Sequence, residues 1–159
     1  MNMRANHPAK AEDRPDAATQ VAALCWRMEG GRPEVLLITS RDTGRWVIPK
    51  GWPIAGLSEA EAAAREAWEE AGVRGKVAEA PLGRYVYDKV IRPPKTKRCS
   101  VAVFGLAVET LKARFPEVEE RKRRWFPAQE AAGLVAEPDL QALLQDIGQD
   151  PSLLAPPAA

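Results

Sequence analysis

The segment Arg65-Glu66-Ala67-Trp68-Glu69-Glu70-Ala71-Gly72-Val73 constrains this chain more than any other. At about 100° per residue, Glu66, Glu69 and Glu70 fall within an arc of roughly 100° on one side of a helix. Like charges that close repel one another, so the arrangement calls for a cation between them. The competing reading is a plain solvated acidic face. Ala60, Ala64, Ala67 and Ala71 recur at i, i+4, i+7 and i+11 and form a narrow stripe of small residues on another side. A stripe of this kind lets the helix sit close to its neighbour. The helix is therefore expected to be packed tightly along one face and to present carboxylates along another. Its ends are marked as well. Ser58 is a candidate N-cap, Glu61 completes a capping box, and Gly72 fits the left-handed position beyond the last turn. Arg65 and Glu69 stand at i, i+4, where Arg65 can hold Glu69 in one rotamer.

The rest of the chain frames this helix. Its 159 residues suit one domain with a proper core, and the net charge of +1 creates no global field for nucleic acid or membrane. Cys25 and Cys99 are the two cysteines, so no disulfide framework is implied, and Cys25 sits in an apolar run that reads as core. No apolar stretch approaches the roughly 20 residues of a membrane span, and no signal-peptide pattern opens the sequence, so a cytoplasmic location is expected. Residues 1–17 read as a disordered arm, 18–148 as the domain, and 149–159 as a frayed Pro/Ala-rich tail. Strands are expected over Gln20–Arg27, Val35–Thr39, Trp46–Pro49, Val73–Val77, Leu82–Val90, Cys99–Val108 and Arg124–Pro127, with a hairpin turn at Gly30-Gly31. Lys50 to Leu57 reads as a loop. A short helix is expected over 128–135, and Leu140, Leu143, Leu144 and Ile147 mark an amphipathic helix. Strands that flank a helix without regular alternation point to an α+β mixed sheet and against a doubly wound parallel one.

Gly51, followed at the matching distance by the Arg65–Val73 segment, resembles the signature of the Nudix hydrolases. One position departs: Leu57 stands where that signature has a loop glutamate, which puts the loop geometry or an outer metal contact in question. The resemblance implies an α/β/α sandwich around a mixed sheet with the catalytic helix packed against it. Oxygen donors without histidine or thiolate suit Mg²⁺, with Mn²⁺ as the alternative, and argue against zinc. The expected reaction is metal-assisted attack of water on phosphorus, cleaving a phosphoanhydride. By resemblance, Glu66 and Glu70 are the strongest metal ligands, with Glu69 as a further one. Glu69 is the candidate base, Arg65 orients it, and a backbone carbonyl at Lys50-Gly51 adds a metal oxygen.

Substrate choice lies outside this signature. Lys89, Arg92, Lys95, Lys97 and Arg98 surround Pro93-Pro94 and read either as a solvated turn or as a clamp for a polyanion. Arg41, Arg45 and Lys50 lie just upstream of the helix. The run Arg121–Arg124 reads as further cationic surface or as a charged strand edge, and Glu119 and Glu120 read as surface acids or as an added metal ligand. Ser40-Arg41, Trp46-Val47-Ile48-Pro49 and Arg124-Trp125-Phe126 resemble the diphosphoinositol polyphosphate phosphohydrolases, which also act on diadenosine polyphosphates. There Ser40 and Arg41 match phosphate-contacting positions. Pro49-Lys50-Gly51 looks more like the diadenosine tetraphosphate hydrolases. Both likenesses imply a small molecule with a long, highly charged phosphate chain, bound by Ser40, Arg41, Lys50, Lys89 and Arg98. Tyr85 and Tyr87 read as base-stacking residues or as core. Trp52 is placed to line the mouth of the site, Trp26, Trp46 and Trp125 read as core, and Trp68 as packing at the edge of the alanine face. No membrane partner is expected, the case for nucleic acid is not strong, and the oligomeric state is open. The competing functions are a non-catalytic nucleotide-binding sensor of the same fold and an RNA 5′-end pyrophosphohydrolase.

Overall fold

A short continuous apolar run is the mark of a strand covered on both faces, and Val21–Cys25 is fully buried throughout. In the computed structural model, which describes residues 18–154, this run lies in β1 (Ala18–Glu29), in the middle of an eight-stranded sheet. The expected arm over 1–17 and the residues 155–159 lie outside the described part. Gly30 and Gly31 form the turn into β2 (Arg32–Thr39), with Glu29 opposite Arg32. Both have positive φ, 58° and 79°, which a two-residue hairpin turn of this hand requires.

β3 (Trp46–Val47) pairs with β2, and the chain then changes partner. Lys50–Gly51, expected as loop, forms the two-residue strand β4 antiparallel to β1, with Gly51 opposite Val21. Pro49 has no N–H to continue the ladder. Its carbonyl accepts from the Ala23 N–H at 3.0 Å, which draws the chain across to β1. α1 (Glu59–Ala71) follows, then β5 (Val73–Val77), β6 (Gly83–Arg92), β7 (Lys95–Leu111) and β8 (Arg123–Pro127). β1 and β7 run parallel from Ala18 opposite Cys99 to Trp26 opposite Ala107. Every other pairing is antiparallel, so the sheet is mixed.

α1 covers one face, over Val21, Ala23, Cys25, Phe104 and Leu106. α2 (Ala128–Ala132) and α3 (Pro138–Gln149) cover the other, where Leu140, Leu144 and Ile147 pack on Leu24, Val101 and Val103. The architecture is the expected α+β sandwich of helix, mixed sheet and helices. The chain does not fray at Asp150: residues 151–154 form a 3-10 turn, and Leu154 is buried in the same core as α3.

Candidate active site

The geometry begins at the caps of α1. The Ser58 hydroxyl accepts from the Glu61 N–H at 3.1 Å, and the Glu61 carboxylate accepts from the Ser58 N–H at 2.8 Å. Gly72 takes the left-handed conformation at φ 70°. The Arg123 guanidinium donates to the Ala71 carbonyl at 2.7 Å, placing a cation at the helix end that carries partial negative charge. Ala60, Ala62, Ala63, Ala67 and Ala71 are buried against the sheet. Ala63 therefore belongs to the stripe more fully than Ala64, which is only partly covered.

This seating brings Glu66 and Glu70 against β4. A β-carbon at Gly51 would collide with the Glu66 carboxylate, so only glycine allows that approach. The Lys50 N–H donates to Glu70 Oε1 at 3.2 Å, and Arg121 Nη2 lies 3.6 Å from Glu70 Oε2. Arg121 Nε donates to Glu117 Oε1 at 2.8 Å. The Glu117 N–H in turn donates to the Glu69 carbonyl at 2.9 Å, tying this late segment to α1. Burial pushes the Glu70 carboxyl up to about 8; Glu66 and Glu117 add to the rise, while Arg121 and the Lys50 N–H oppose it. Burial also raises Glu66, with Glu69 and Glu117 adding to the effect and a hydrogen bond with Glu70 opposing it.

Among the described residues no three carboxylate, imidazole or thiolate groups already converge on one point. The donors nonetheless fit a hard divalent cation. They are all carboxylate oxygens, and they are crowded and buried enough that Glu70 resists ionisation without a counter-charge.

A cleft of about 440 Å³ opens beside these acids, with Ser40, Arg41, Lys50, Gly51, Glu66 and Glu70 on its wall. Lys89 lines it from β6. Ser40 and Thr43 share a hydroxyl hydrogen bond at 2.8 Å that shapes the turn before β3. Arg41 pairs with Glu120 and Arg45 with the buried Glu137, both at 2.9 Å. Lys50 Nζ lies 4.9 Å from the centre of the Tyr87 ring. Burial lowers its pKa; Glu70 opposes, and Lys89, Arg45 and Arg121 add to the fall.

Other expected residues lie elsewhere. Glu69 and Arg65 are not on the cleft wall. Arg65 is exposed and makes no ion pair with Glu69, because an exposed arginine gains little from one and keeps its rotamer freedom. Arg98 is off the wall too, in an exposed pair with Asp88 at 3.3 Å. Tyr85 is buried core, and the Tyr87 hydroxyl donates to Gln20 at 2.6 Å. Trp68 is partly covered by the Arg74 guanidinium, 3.8 Å from its ring centre. Within Arg121–Arg124 the arginines divide their tasks: Arg121 faces the acids, Arg123 caps α1, and Arg124 lies over Phe126.

Sequence reasoning passed over Glu117 and Gln20 as cleft residues and read Arg121 only as part of a basic run. The available signal was the i, i+4 spacing of Glu117 and Arg121 with opposite charges. It showed that they pair and not where they lie.

A family model described as the NUDIX domain matches residues 18–146. Nudix hydrolase 13, mitochondrial, of Arabidopsis thaliana is 34% identical over 118 residues, a match covering 71% of this chain and 58% of that protein. The mouse diphosphoinositol polyphosphate phosphohydrolase 3-alpha is 33% identical over 114 residues, covering 70% and 65%. The chain thus spans little more than half the length of the plant relative. The structure of the C. elegans Ap4A hydrolase superposes with a TM-score of 0.58 at 21% identity, over 84% of this chain and 97% of that one. The E. coli dihydroneopterin triphosphate pyrophosphohydrolase gives 0.63 at 18% identity, over 83% and 95%. At these identities the two structures speak for the fold alone.

Proposed function

The chain belongs to the Nudix family, and from that premise we propose that it is a divalent-metal-dependent hydrolase that cleaves a phosphoanhydride in a small polyphosphate. The observation that carries this reading is the Glu70 carboxylate. It is buried between the Lys50 N–H and Arg121 and pressed by Glu66 and Glu117, on the wall of a cleft that also holds Lys50 and Lys89. One wall suits a cation and the other a phosphate.

Glu66 and Glu70 would hold Mg²⁺, or Mn²⁺ in its place, with the Lys50-Gly51 backbone beside them. The ion, when bound, neutralises phosphate charge and makes a water more acidic. The chain's own residues supply the rest. Arg121 fixes the rotamers of Glu70 and Glu117, and Gly51 leaves room for Glu66. Lys50 and Lys89, with the Ser40 hydroxyl beside them, hold the phosphate chain in line, while Arg41 stays paired with Glu120 at the cleft's edge. In the reaction the water oxygen bonds to phosphorus, the bridging P–O bond breaks, and the departing phosphate keeps the electron pair. The water's proton passes to a carboxylate. Glu117 lines the cleft and Glu69 does not, which supports Glu117 over Glu69 as the acceptor.

The test is phosphate release with and without Mg²⁺ across diadenosine polyphosphates, diphosphoinositol polyphosphates, nucleoside triphosphates, ADP-ribose and capped RNA. Glu70→Gln is expected to keep its thermal transition and to lose turnover by roughly a thousandfold. Near-wild-type turnover in that variant refutes the assignment. Binding of these compounds without release, with or without Mg²⁺, supports the sensor reading instead.

A further inference from the structure

Building on the hydrolase reading, we propose that Trp52 is a platform for a flat, uncharged ring at the end of the substrate's phosphate chain. The cleft then selects nucleoside polyphosphates over rings that carry phosphate all round.

The first argument is charge. Five cations line the cleft: Arg41, Arg45, Lys50, Lys89 and Arg121. Five acids line it too: Asp42, Glu66, Glu70, Asp88 and Glu117. Three of the cations are already committed, Arg41 to Glu120, Arg45 to Glu137, and Arg121 to Glu117 and Glu70. Among the described residues only Lys50 and Lys89 reach the cleft without a carboxylate partner within 4.0 Å. Two free cations, with a metal on the acids, suit a linear chain of a few phosphates. A ring with phosphate on most of its carbons presents charge in every direction, and much of it would meet a paired arginine or an acid.

The second argument is the apolar surface at the cleft. Trp52 is 46% exposed and Val90 58% exposed, and both line it. A solitary exposed apolar side chain needs no explanation. A tryptophan in the wall of a charged cleft offers what a nucleobase uses, a π-face that stacks without regard to hydrogen-bond pattern. The other aromatic candidates are occupied. Tyr85 is 3% exposed, and Tyr87 has Lys50 over its ring and its hydroxyl bonded to Gln20. Trp46 is packed against Phe126, with ring centres 5.0 Å apart.

The test compares wild type, Trp52→Ala and Trp52→Phe on three substrates with Mg²⁺: diadenosine tetraphosphate, diphosphoinositol pentakisphosphate and inorganic tripolyphosphate. Trp52→Ala is expected to raise KM for diadenosine tetraphosphate about tenfold with little change in kcat, the scale of one lost base stack. Tripolyphosphate, which has no ring, keeps its KM, and Trp52→Phe recovers most of the loss. An equal loss on all three substrates, no loss, or a wild-type kcat/KM highest on the inositol compound overturns the proposal. If wild type turns over none of them, the wider phosphate-release panel decides the hydrolase reading, and binding of a methylene-bridged diadenosine tetraphosphate decides the platform by itself. About tenfold weaker binding by Trp52→Ala upholds it, and equal binding overturns it.

Discussion

The two faces of the sheet are packed by different rules. Against α3 the contacts are large, with Leu140, Leu144 and Ile147 meeting Leu24, Val101 and Val103. Against α1 the helix contributes only alanines, at 60, 62, 63, 67 and 71. Large side chains bury more area, at roughly 25 cal/mol per Å², and can change rotamer when disturbed. Alanine buries little and has no rotamer to change, so its contact fixes the distance between helix and sheet. The face that contributes most stability is therefore distinct from the face that positions Glu66 and Glu70.

That contrast is open to direct attack. The largest loss of stability is expected from Leu144→Ala, about 2–5 kcal/mol, while turnover per folded molecule stays at the wild-type level. Urea unfolding with a parallel assay reads both. Ala67→Leu is expected to cost less, about 1–3 kcal/mol, yet to reduce turnover roughly a hundredfold by lifting the carboxylates off β4. If its turnover survives intact, the alanine face is not what positions the acids.

Third in size is a pH effect confined to the α1 side. Glu70 in the native state holds its proton up to about 8, above its ordinary value of 4.5. The native state therefore binds the proton more tightly than the unfolded chain. The stability this contributes is full below the unfolded value and is lost as pH rises towards 8. Melting of the metal-free protein should fall across that window, Glu70→Gln should flatten the fall, and added Mg²⁺ should counter it. A flat profile in the wild type would sink this prediction. The smallest effect is Ser58→Ala, about 1 kcal/mol from the lost cap, read by thermal melting.

Local physics made α1 legible. Its caps, its acids and most of its small-residue stripe are set by spacing within one helix, and the strands announced themselves as apolar runs. What escaped depends on partners distant in sequence. β4 exists because β1 offers Lys50 and Gly51 a ladder, and neither residue has strand propensity of its own. Glu117 and Arg121 reach the cleft because the chain returns from β7 beneath the end of α1, a path no local pattern encodes. Arg45 and Glu137, 92 residues apart, meet for the same reason. Ser40, Arg41, Lys50 and Lys89 do line the cleft, whereas Arg98 does not, although its exposed partner Asp88 does.

The tie between the Glu117 N–H and the Glu69 carbonyl also bears on biosynthesis. A ribosome completes α1 well before it adds the segment that supplies Glu117 and Arg121. Until then the acids lack their counter-charge, and β1 lacks its parallel neighbour β7. The nascent domain can gain competence only once both lie beyond the exit tunnel, and an arrest shortly after α1 would leave it inert.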